Sequence, residues 1–391
     1  MTGHEARQAG ESTSLPIYLP PDWMGIDDAD RLELFNLGDG ARLEFGGALR
    51  RALLDGSALR SPAFRTVARL NPDVERLATC LQHCDPVPLT RATLLRGSSF
   101  RRLFLELTAR CNERCVHCYA ESGPTRSEAL DASTVRQVLE DARQLGFQSV
   151  QLTGGDPLLS DVCASAARWV RQLGFAQLEI YTNGLALRGE LYEELRAVEP
   201  DFAFSFYSHD ADTHDRVTRT PGSQRRTVEA MKRVLADGLS MRVGVILTDE
   251  NRDHADQVLR YLANLGIPRE CVGIDVQRGV GRGEFTPPPA SGHKVVTGRT
   301  HAPRDERAAF GGTAAVAYDG NVYPCIFSRG LALGDVHQTR LAEILTAPHP
   351  VHVDRCLLLE GHQRWSDRLS CWPCRLRAAL LAPSPPAEAS A

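Results

Sequence analysis

The sequence predicts an α/β protein built around a parallel sheet, open or curled toward a barrel. Between about residue 102 and residue 278, short apolar runs alternate with amphipathic helical patterns. The predicted strands are Leu103–Leu107, Ser149–Leu152, Leu178–Tyr181, Phe202–Phe206, Met241–Leu247 and Val272–Val276. The clearest helical stripe contains Val135, Val138, Leu139, Ala142 and Leu145, and it ends at Gly146. Strands that alternate with helices are typical of a parallel sheet, whose chemistry collects on the loops after the carboxyl ends of the strands.

The flanks of this core divide the chain further. We expect an N-terminal α+β region over 1–98, the core over 99–282, a Gly-, Pro- and Arg-rich linker over 283–312, a small C-terminal domain over 313–382 and a disordered tail over 383–391. In the N-terminal region, Leu32–Phe35 and Arg42–Phe45 flank a Gly-Asp-Gly turn and predict a hairpin. Helical patterns follow over Ala48–Leu54 and Asp73–Leu81.

Composition excludes several classes of protein. The chain has 391 residues, 45 basic and 49 acidic, with a formal net charge of −4. A dedicated nucleic-acid binder would need a basic face, so no nucleic-acid partner is expected. No run approaches the roughly 18 apolar residues of a membrane span, and the first residues are polar. We therefore expect a soluble, cytoplasmic protein with no membrane partner.

The chain contains eleven cysteines, which in a cytosolic protein point to metal binding or catalysis rather than to disulfides. Cys163 and Cys271 stand alone and are expected to be small buried apolar residues. Cys80 and Cys84 are compatible with a ligand pair or a redox dithiol, but no partner lies nearby, and we expect a buried helical pair.

Three cysteines follow the first predicted strand of the core. Cys111, Cys115 and Cys118 are spaced so that their thiolates can hold three corners of an iron–sulfur cube and leave one iron open. A structural zinc site would need four protein ligands, and no fourth cysteine follows nearby. The sequence therefore predicts a cluster with an open iron at the mouth of the sheet.

This motif, Cys-x3-Cys-x2-Cys after the first strand, resembles the radical S-adenosylmethionine (SAM) superfamily over roughly 102–278. The resemblance implies a partial (β/α)6 barrel of the TIM type. It also implies a SAM site made of Tyr119, Gly154, Gly155, Asp156, Asn183, Ser205 and Arg219. Asp156 stands where the family more often has glutamate, and Arg216 is an alternative to Arg219 as the partner of the SAM carboxylate.

The chemistry that the resemblance implies begins at the open iron. SAM binds it through its amino and carboxylate groups, and one electron, from a flavodoxin- or ferredoxin-type donor, cleaves SAM to a 5′-deoxyadenosyl radical. The radical abstracts hydrogen from an unactivated C–H bond, and the protein orients the reacting atoms. No catalytic side chain is identified at this stage.

The C-terminal cysteines predict a second cluster. A hairpin signal around Asp319-Gly320 precedes Cys325, and Cys371-Trp-Pro-Cys374 follows. This pattern resembles the auxiliary-cluster extension called SPASM or, when shortened, twitch, without the cysteine that usually precedes the hairpin. One auxiliary [4Fe-4S] cluster is expected, with Cys325, Cys371 and Cys374 as ligands and Cys356 as a possible fourth. A four-cysteine zinc site and a domain without metal are the alternatives.

The N-terminal region faintly resembles the small PqqD-like domain that accompanies peptide-modifying radical enzymes, and an ordinary N-terminal cap on the core is the alternative. Such a domain holds a precursor peptide by adding a strand to a sheet edge. The resemblance thus implies a ribosomally made precursor peptide as the substrate. Because a cross-linking enzyme returns an electron, which suits an auxiliary cluster, the expected function is the formation of a thioether or carbon–carbon bond in that peptide. Peptide epimerisation, twitch-type oxidation of a sugar or alcohol, and a non-catalytic metal-binding role are the alternatives.

Overall fold

The computed structural model describes residues 16–19, 23–28, 30–36, 41–83, 87–88, 100–277, 280–283, 312–327, 329 and 332–347. These residues form two sheets, one in the N-terminal region and one that runs through the core into the C-terminal region. Within the described ranges, no helix is long and apolar enough to span a membrane.

The N-terminal sheet is antiparallel and has the strand order β4-β3-β2-β1-β5. Its strands are β1 (Pro16–Leu19), β2 (Trp23–Asp28), β3 (Arg31–Asn36), β4 (Arg42–Gly46) and β5 (Val87–Pro88). The helices α1 (Gly47–Leu54), α2 (Pro62–Leu70) and α3 (Pro72–Leu81) complete this region. The predicted hairpin is confirmed as β3 paired with β4, and both predicted helices are confirmed, whereas β1, β2, β5 and α2 were not predicted.

Helix α2, which was not predicted, begins with a capping serine followed by a proline. The Ser61 hydroxyl accepts a hydrogen bond from the backbone N–H of Phe64 at 3.3 Å, and Pro62 occupies the first turn. Only Phe64 of this helix is fully buried, so its apolar stripe is too short to show a clear period. Phe64 packs with Phe45 and Leu77 in a separate apolar core.

The second sheet has nine strands in the order β11-β10-β9-β8-β7-β6-β12-β13-β14. The parallel strands of the core are β6 (Arg102–Glu106), β7 (Ser149–Thr153), β8 (Gln177–Thr182), β9 (Asp201–Ser205), β10 (Met241–Leu247) and β11 (Val272–Val276). Each of the six predicted strands is confirmed, and the last two have the predicted bounds. The intervening helices are α4 (Ala132–Gln144), α5 (Cys163–Gln172), α6 (Gly189–Arg196), α7 (Ala211–Thr218), α8 (Ser223–Ala236) and α9 (Ala255–Asn264).

The strand order places the helices on one face of this sheet. The six core strands lie side by side in chain order, and right-handed crossovers then put every connecting helix on the same side. Leu103 and Leu105 belong to the helix-packed core, so Phe104 and Glu106 lie on the opposite face, since side chains alternate along a strand. We call this opposite face the inner face.

The C-terminal residues continue the same sheet instead of forming a sheet of their own. Strand β12 (Thr313–Val316) pairs in parallel with β6, and β13 (Asn321–Tyr323) and β14 (Gly334–Asp335) follow antiparallel, which confirms the predicted hairpin. Helix α10 (Leu341–Thr346) packs beside α4. The segment that contains Cys325 is thereby fixed beside the first strand of the core.

A buried ion-pair network fills the amino-terminal end of the inner face. Arg242 donates to both carboxylate oxygens of Glu179 at 2.7 and 2.8 Å, and Arg102 and Gln151 also donate to Glu179. Burial would raise the pKa of Glu179, but the charge and hydrogen bonds of Arg242 outweigh it and lower that pKa to about 2. The ion-pair network therefore fills the inner face at the amino-terminal ends of the strands, and the cysteine loop lies at their carboxyl ends.

The Glu179→Gln variant should unfold more easily, because Arg242 and Arg102 would then be buried without their anion. We expect a loss of about 3 kcal/mol in the free energy of unfolding at pH 7. Since the folded-state pKa lies below the unfolded one, the contribution is complete above about pH 4.5 and declines as the pH falls toward 2. Urea unfolding of the cluster-free protein against pH measures this.

The matched control is Glu193→Gln, which breaks an exposed pair with Arg196 on the surface of α6. It should leave the unfolding midpoint unchanged. Equal effects of the two substitutions would contradict a stabilising role for the buried network.

Candidate functional site: a cysteine loop at the carboxyl ends of the strands

The three-cysteine loop follows β6 and lies against the turns that follow the neighbouring strands. Cys111 is buried, and Cys115 and Cys118 are half-buried. Burial raises the pKa of the Cys111 thiol. The negative charges of Asp156 and, to a smaller extent, Cys118 add to this effect. Burial likewise raises the pKa of Cys115, with Glu113, Cys118 and Cys111 adding to the effect. Thiolates in this loop thus need a cationic partner, which iron supplies.

The donor set fits a cube better than a single ion. Among the described residues, no three His, Cys, Asp or Glu side chains are drawn together closely enough to hold one metal ion. Each cysteine of an iron–sulfur cube binds a different iron, so its three sulfurs lie farther apart than the ligands of one zinc. The sulfur of Cys111 also receives hydrogen bonds from the backbone N–H of Glu113 at 3.4 Å and from Asn183 Nδ2 at 3.7 Å.

Glu113, between the first two cysteines, was not singled out from the sequence. Its buried carboxylate accepts hydrogen bonds from the Ser223 hydroxyl and, at 3.4 Å, from the Cys115 thiol. Burial raises the pKa of Glu113 to about 7. Ser223 also contacts His214, whose Nδ1 accepts from the backbone N–H of Tyr207. These contacts fix the cysteine loop to α7 and α8 across large separations in sequence, which no local pattern could reveal.

The two glycines after β7 are required by a close approach of two backbones. A Cβ atom on Gly155 would lie 2.2 Å from the carbonyl oxygen of Arg110, and one on Gly154 would lie 2.5 Å from that of Thr108. Gly154 also has a φ of +140°. The backbone N–H of Gly155 donates to Thr108 O at 2.7 Å. The turn therefore lies directly on the chain that leads into Cys111.

The Asp156 side chain joins two of the turns at the site. Its Oδ1 accepts from the Leu158 N–H at 2.9 Å, and its Oδ2 accepts from the Thr182 hydroxyl at 2.7 Å and the Asn183 N–H at 3.1 Å. The carboxylate is fully buried, which raises its pKa. Both oxygens of Asp156 are thus engaged within the protein.

Asn183 lies at the junction of these contacts. Its Nδ2 donates to Cys111 Sγ and, at 2.7 Å, to Asn112 Oδ1, while its Oδ1 accepts from the Leu185 N–H. Its carbonyl accepts from the Thr227 hydroxyl at 2.8 Å. The structure thereby brings together the predicted residues Cys111, Gly155, Asp156 and Asn183.

The other predicted SAM residues lie around this centre. Ser205 ends β9, and its side chain is half-buried on the inner face. Arg219 caps α7 with a φ of +51°, and its side chain is exposed. The preceding residues, Val217 and Thr218, accept hydrogen bonds from the backbone N–H groups of Val116 and Arg114. Arg219 thus borders the cysteine loop, whereas the exposed Arg216 donates to Thr213.

Arg282 and Tyr119 lie on the other side of the cysteine loop. Arg282 follows β11, and its backbone N–H and Nε donate to the carbonyls of Cys118 and Cys115 at 3.0 and 3.1 Å. Tyr119 faces the C-terminal residues, with its ring against Phe327 and under the Arg329 guanidinium, at 5.4 Å in each case. The loop is therefore held from both sides, and Arg282 was not foreseen from the sequence.

Of the remaining cysteines, Cys325 is buried after β13 and accepts the backbone N–H of Phe327 at 3.4 Å. This repeats the contact of Cys111 with the N–H two residues later, a hydrogen bond of the kind that tunes iron–sulfur ligands. Cys84, Cys356, Cys371 and Cys374 lie outside the described residues. Cys80 and Cys163 are buried in apolar cores, as expected, whereas Cys271, which was expected to be buried, is only half-buried at the edge of one.

The Gly155→Ala variant should lose most of its iron, since the new methyl group would push the glycine turn off the Arg110 carbonyl and distort the approach to Cys111. Iron and sulfide content after anaerobic reconstitution measures this. Gly123→Ala is the matched control, because its Cβ would meet only the Arg114 side chain at 3.8 Å. Full loading of both variants would contradict the packing argument.

The Asn183→Asp variant should lower the reduction potential of the cluster, because it removes a donor to Cys111 Sγ and adds negative charge beside it. A hydrogen bond of about 1 kcal/mol corresponds to roughly 40 mV in a one-electron couple. An EPR-monitored redox titration measures the shift. Asn264→Asp adds the same charge at the exposed end of α9 and should leave the potential unchanged. A potential that rises or stays constant in Asn183→Asp would contradict the assignment.

Comparison with known proteins agrees with this geometry. The family description "Radical SAM superfamily" matches residues 105–279, and "Iron-sulfur cluster-binding domain" (SPASM) matches residues 309–375. A protein of Saccharolobus solfataricus named "Probable GTP 3′,8-cyclase" is 28% identical over 173 residues, which cover 44% of this chain and 56% of that protein. A pre-heme d1 synthase of Dinoroseobacter shibae is 23% identical over 67% of this chain and 77% of its own length. The chain thus spans only about half the length of the cyclases that it matches.

Among solved structures, SuiB of Streptococcus suis bound to S-adenosylmethionine has a TM-score of 0.53 at 12% identity, covering 92% of this chain and 94% of SuiB. SuiB bound to its precursor peptide SuiA gives a TM-score of 0.52 at 11% identity over 84% and 88% of the two chains. These similarities support the same fold. Together with the cysteine loop and the glycine turn, these matches show that the chain contains a radical SAM domain and a SPASM domain, which imply a [4Fe-4S] cluster with SAM and an auxiliary iron–sulfur cluster.

Proposed function

We propose that this enzyme modifies a ribosomally synthesised precursor peptide and forms a thioether or carbon–carbon cross-link within it. The observation that carries the proposal is that the hairpin leading to Cys325 extends the sheet from β6, and that Phe327, two residues later, packs against Tyr119 beside the three-cysteine loop. Cross-linking removes two hydrogen atoms: the radical abstracts one, and the other leaves as a proton to solvent while its electron passes to an acceptor. An auxiliary cluster beside the site is a suitable acceptor for that electron.

When bound, SAM and its cluster supply the hydrogen-abstracting radical; the chain's own residues bind and orient. We propose that Cys111, Cys115 and Cys118 hold the cluster, that Gly154 and Gly155 present carbonyls to the SAM ammonium, and that Arg219 reaches its carboxylate. Asp156 and Asn183 act by holding the two turns in place. Ser205 and Tyr119 line the rest of the SAM site. The ligands of the auxiliary cluster are Cys325, Cys371 and Cys374, with Cys356 as a possible fourth.

The N-terminal region supports a peptide substrate. Strand β4 pairs on one side with β3 and forms one edge of the N-terminal sheet, followed by three helices. An extended leader segment could add to this edge through backbone hydrogen bonds, as in other strand-addition complexes. The structure of SuiB with its precursor peptide has the same fold. A PqqD-like leader-binding role for residues 1–98, and a flavodoxin- or ferredoxin-type electron donor, belong to this proposal.

The curated relatives favour a second candidate, because the names of both describe synthesis of small molecules. Radical oxidation of a non-peptide substrate is therefore the alternative to test. Epimerisation of a peptide residue, which returns a hydrogen atom and leaves the mass unchanged, is distinguished in the same experiment. The peptide encoded beside the gene, incubated with the reconstituted enzyme, should lose two hydrogen atoms for each cross-link.

Replacing Cys111, Cys115 and Cys118 together by Ala should abolish reductive cleavage of SAM, because the open iron is lost with the cluster. Chromatographic measurement of 5′-deoxyadenosine after anaerobic reconstitution and dithionite reduction tests this. Cys271→Ala, at the far end of the core, should cleave SAM as the wild type does. Replacing Cys371 and Cys374 should leave SAM cleavage without a modified peptide. Wild-type enzyme that yields no 5′-deoxyadenosine would overturn every enzymatic assignment.

A further inference from the structure

Two arginine–carboxylate pairs attach the C-terminal residues to the core, one on each face of the sheet. On the helix-covered face, Arg340 pairs with buried Asp141 of α4. Its Nε lies 3.1 and 3.0 Å from Oδ1 and Oδ2, its Nη2 donates to Oδ1, and the backbone N–H of Ala342 donates to Oδ2 at 3.3 Å. Both oxygens of Asp141 are thus fully used by the C-terminal residues.

On the inner face, Arg329 pairs with Glu106, the last residue of β6. Arg329 donates to Oε1 of Glu106, and its guanidinium lies between the rings of Tyr119 and Tyr323 at 5.4 and 5.1 Å. The Glu106 side chain is fully buried, yet Oε2 receives no hydrogen bond from any residue that the structure describes. In the pair on the inner face, Arg329 therefore binds only one of the two carboxylate oxygens of Glu106.

A buried carboxylate oxygen without a donor is unusual, because native proteins satisfy nearly all buried polar atoms. Attachment of the C-terminal residues does not explain it, since Asp141 performs that task with both oxygens engaged. The position of Glu106 suggests another use. It ends the strand that leads into the cysteine loop, lies in register with Thr153 of β7, and borders Tyr119 directly after Cys118. This oxygen thus lies on the inner face, beside the tyrosine that follows the last cysteine of the loop.

We propose that Oε2 of Glu106 accepts a hydrogen bond from an N–H group of the substrate, an amide or an ammonium, and positions the reacting residue. Arg329 holds the carboxylate through Oε1 and balances its charge. The inference deepens the proposed function, on which it rests: in a peptide substrate the donor is a backbone or side-chain amide. Glu106 then determines specificity, because it selects substrates that carry an N–H donor beside the C–H bond from which hydrogen is abstracted.

The test compares Glu106→Gln with Asp141→Asn in the full-length, reconstituted enzyme with SAM. In Glu106→Gln the amide oxygen will face the Arg329 donors, which turns the NH2 group toward the substrate and replaces the free acceptor by a donor. Asp141→Asn weakens the other attachment of the same C-terminal residues and controls for loosening. The probes are a proteolytic digest of a uniformly deuterated protein and, separately, a deuterated amino-sugar mixture; the readout is deuterium in 5′-deoxyadenosine.

At a limiting concentration of digest, Glu106→Gln should transfer about tenfold less deuterium than the wild type and recover when the digest is concentrated. Asp141→Asn should stay within about twofold of the wild type, and its SAM cleavage without probe should match that of the wild type. Equal losses in both variants, or a loss in Glu106→Gln that high concentration does not relieve, would overturn the assignment.

The two probes separate this inference from the proposed function. Transfer from amino sugars alone, with the same sensitivity to Glu106→Gln, would keep the N–H acceptor and overturn the peptide substrate. Transfer from the digest with no effect of Glu106→Gln would keep the peptide substrate and overturn the role of Glu106. Transfer from neither probe by the wild type would overturn both.

Discussion

The buried carboxylate of Asp156 is the constraint on which the site depends. It binds the turn after β7 to the turn after β8, and Asn183 in the second turn then reaches Cys111. The same turn, with Gly154 and Gly155, lies against the backbone of Thr108 and Arg110. Three loops that follow three different strands are thus held as one body. A shorter aspartate in place of glutamate suits this task, because its oxygens stay close to the backbone groups that it joins.

The two faces of the main sheet differ in character: one packs against the helices, and the other carries the charged network and the cysteine loop. The helix-covered face is apolar and supplies most of the buried core, whereas the inner face carries charge at one end and the cysteine loop at the other. The C-terminal strands extend this sheet, so Cys325 and its neighbours share the inner face with Tyr119 and Glu106. Attachment by an arginine on each face keeps the two cluster-binding segments in a fixed relation.

Features that depend on local sequence could be predicted, and features that depend on distant contacts could not. The strand periodicity predicted all six core strands, and the position of Cys111, Cys115 and Cys118 predicted a loop after the carboxyl end of β6. In contrast, the role of Glu113 rests on Ser223, and that of Glu106 on Arg329, residues far away in the chain. Asp156 was predicted at the site. Its hydrogen bonds with Thr182 and Asn183 show that it joins two turns, which could not be inferred from the motif alone. Strands β1 and β2 lacked a clear alternation beside their prolines and were missed.

The central claim is that the three-cysteine loop holds a cluster with an iron open to SAM. The EPR spectrum of the reduced, reconstituted protein recorded with and without SAM tests it most directly. The account predicts that SAM shifts the signal of one cluster, because its amino and carboxylate groups bind the open iron, and leaves the auxiliary signal unchanged. A spectrum that is the same with and without saturating SAM would contradict the claim.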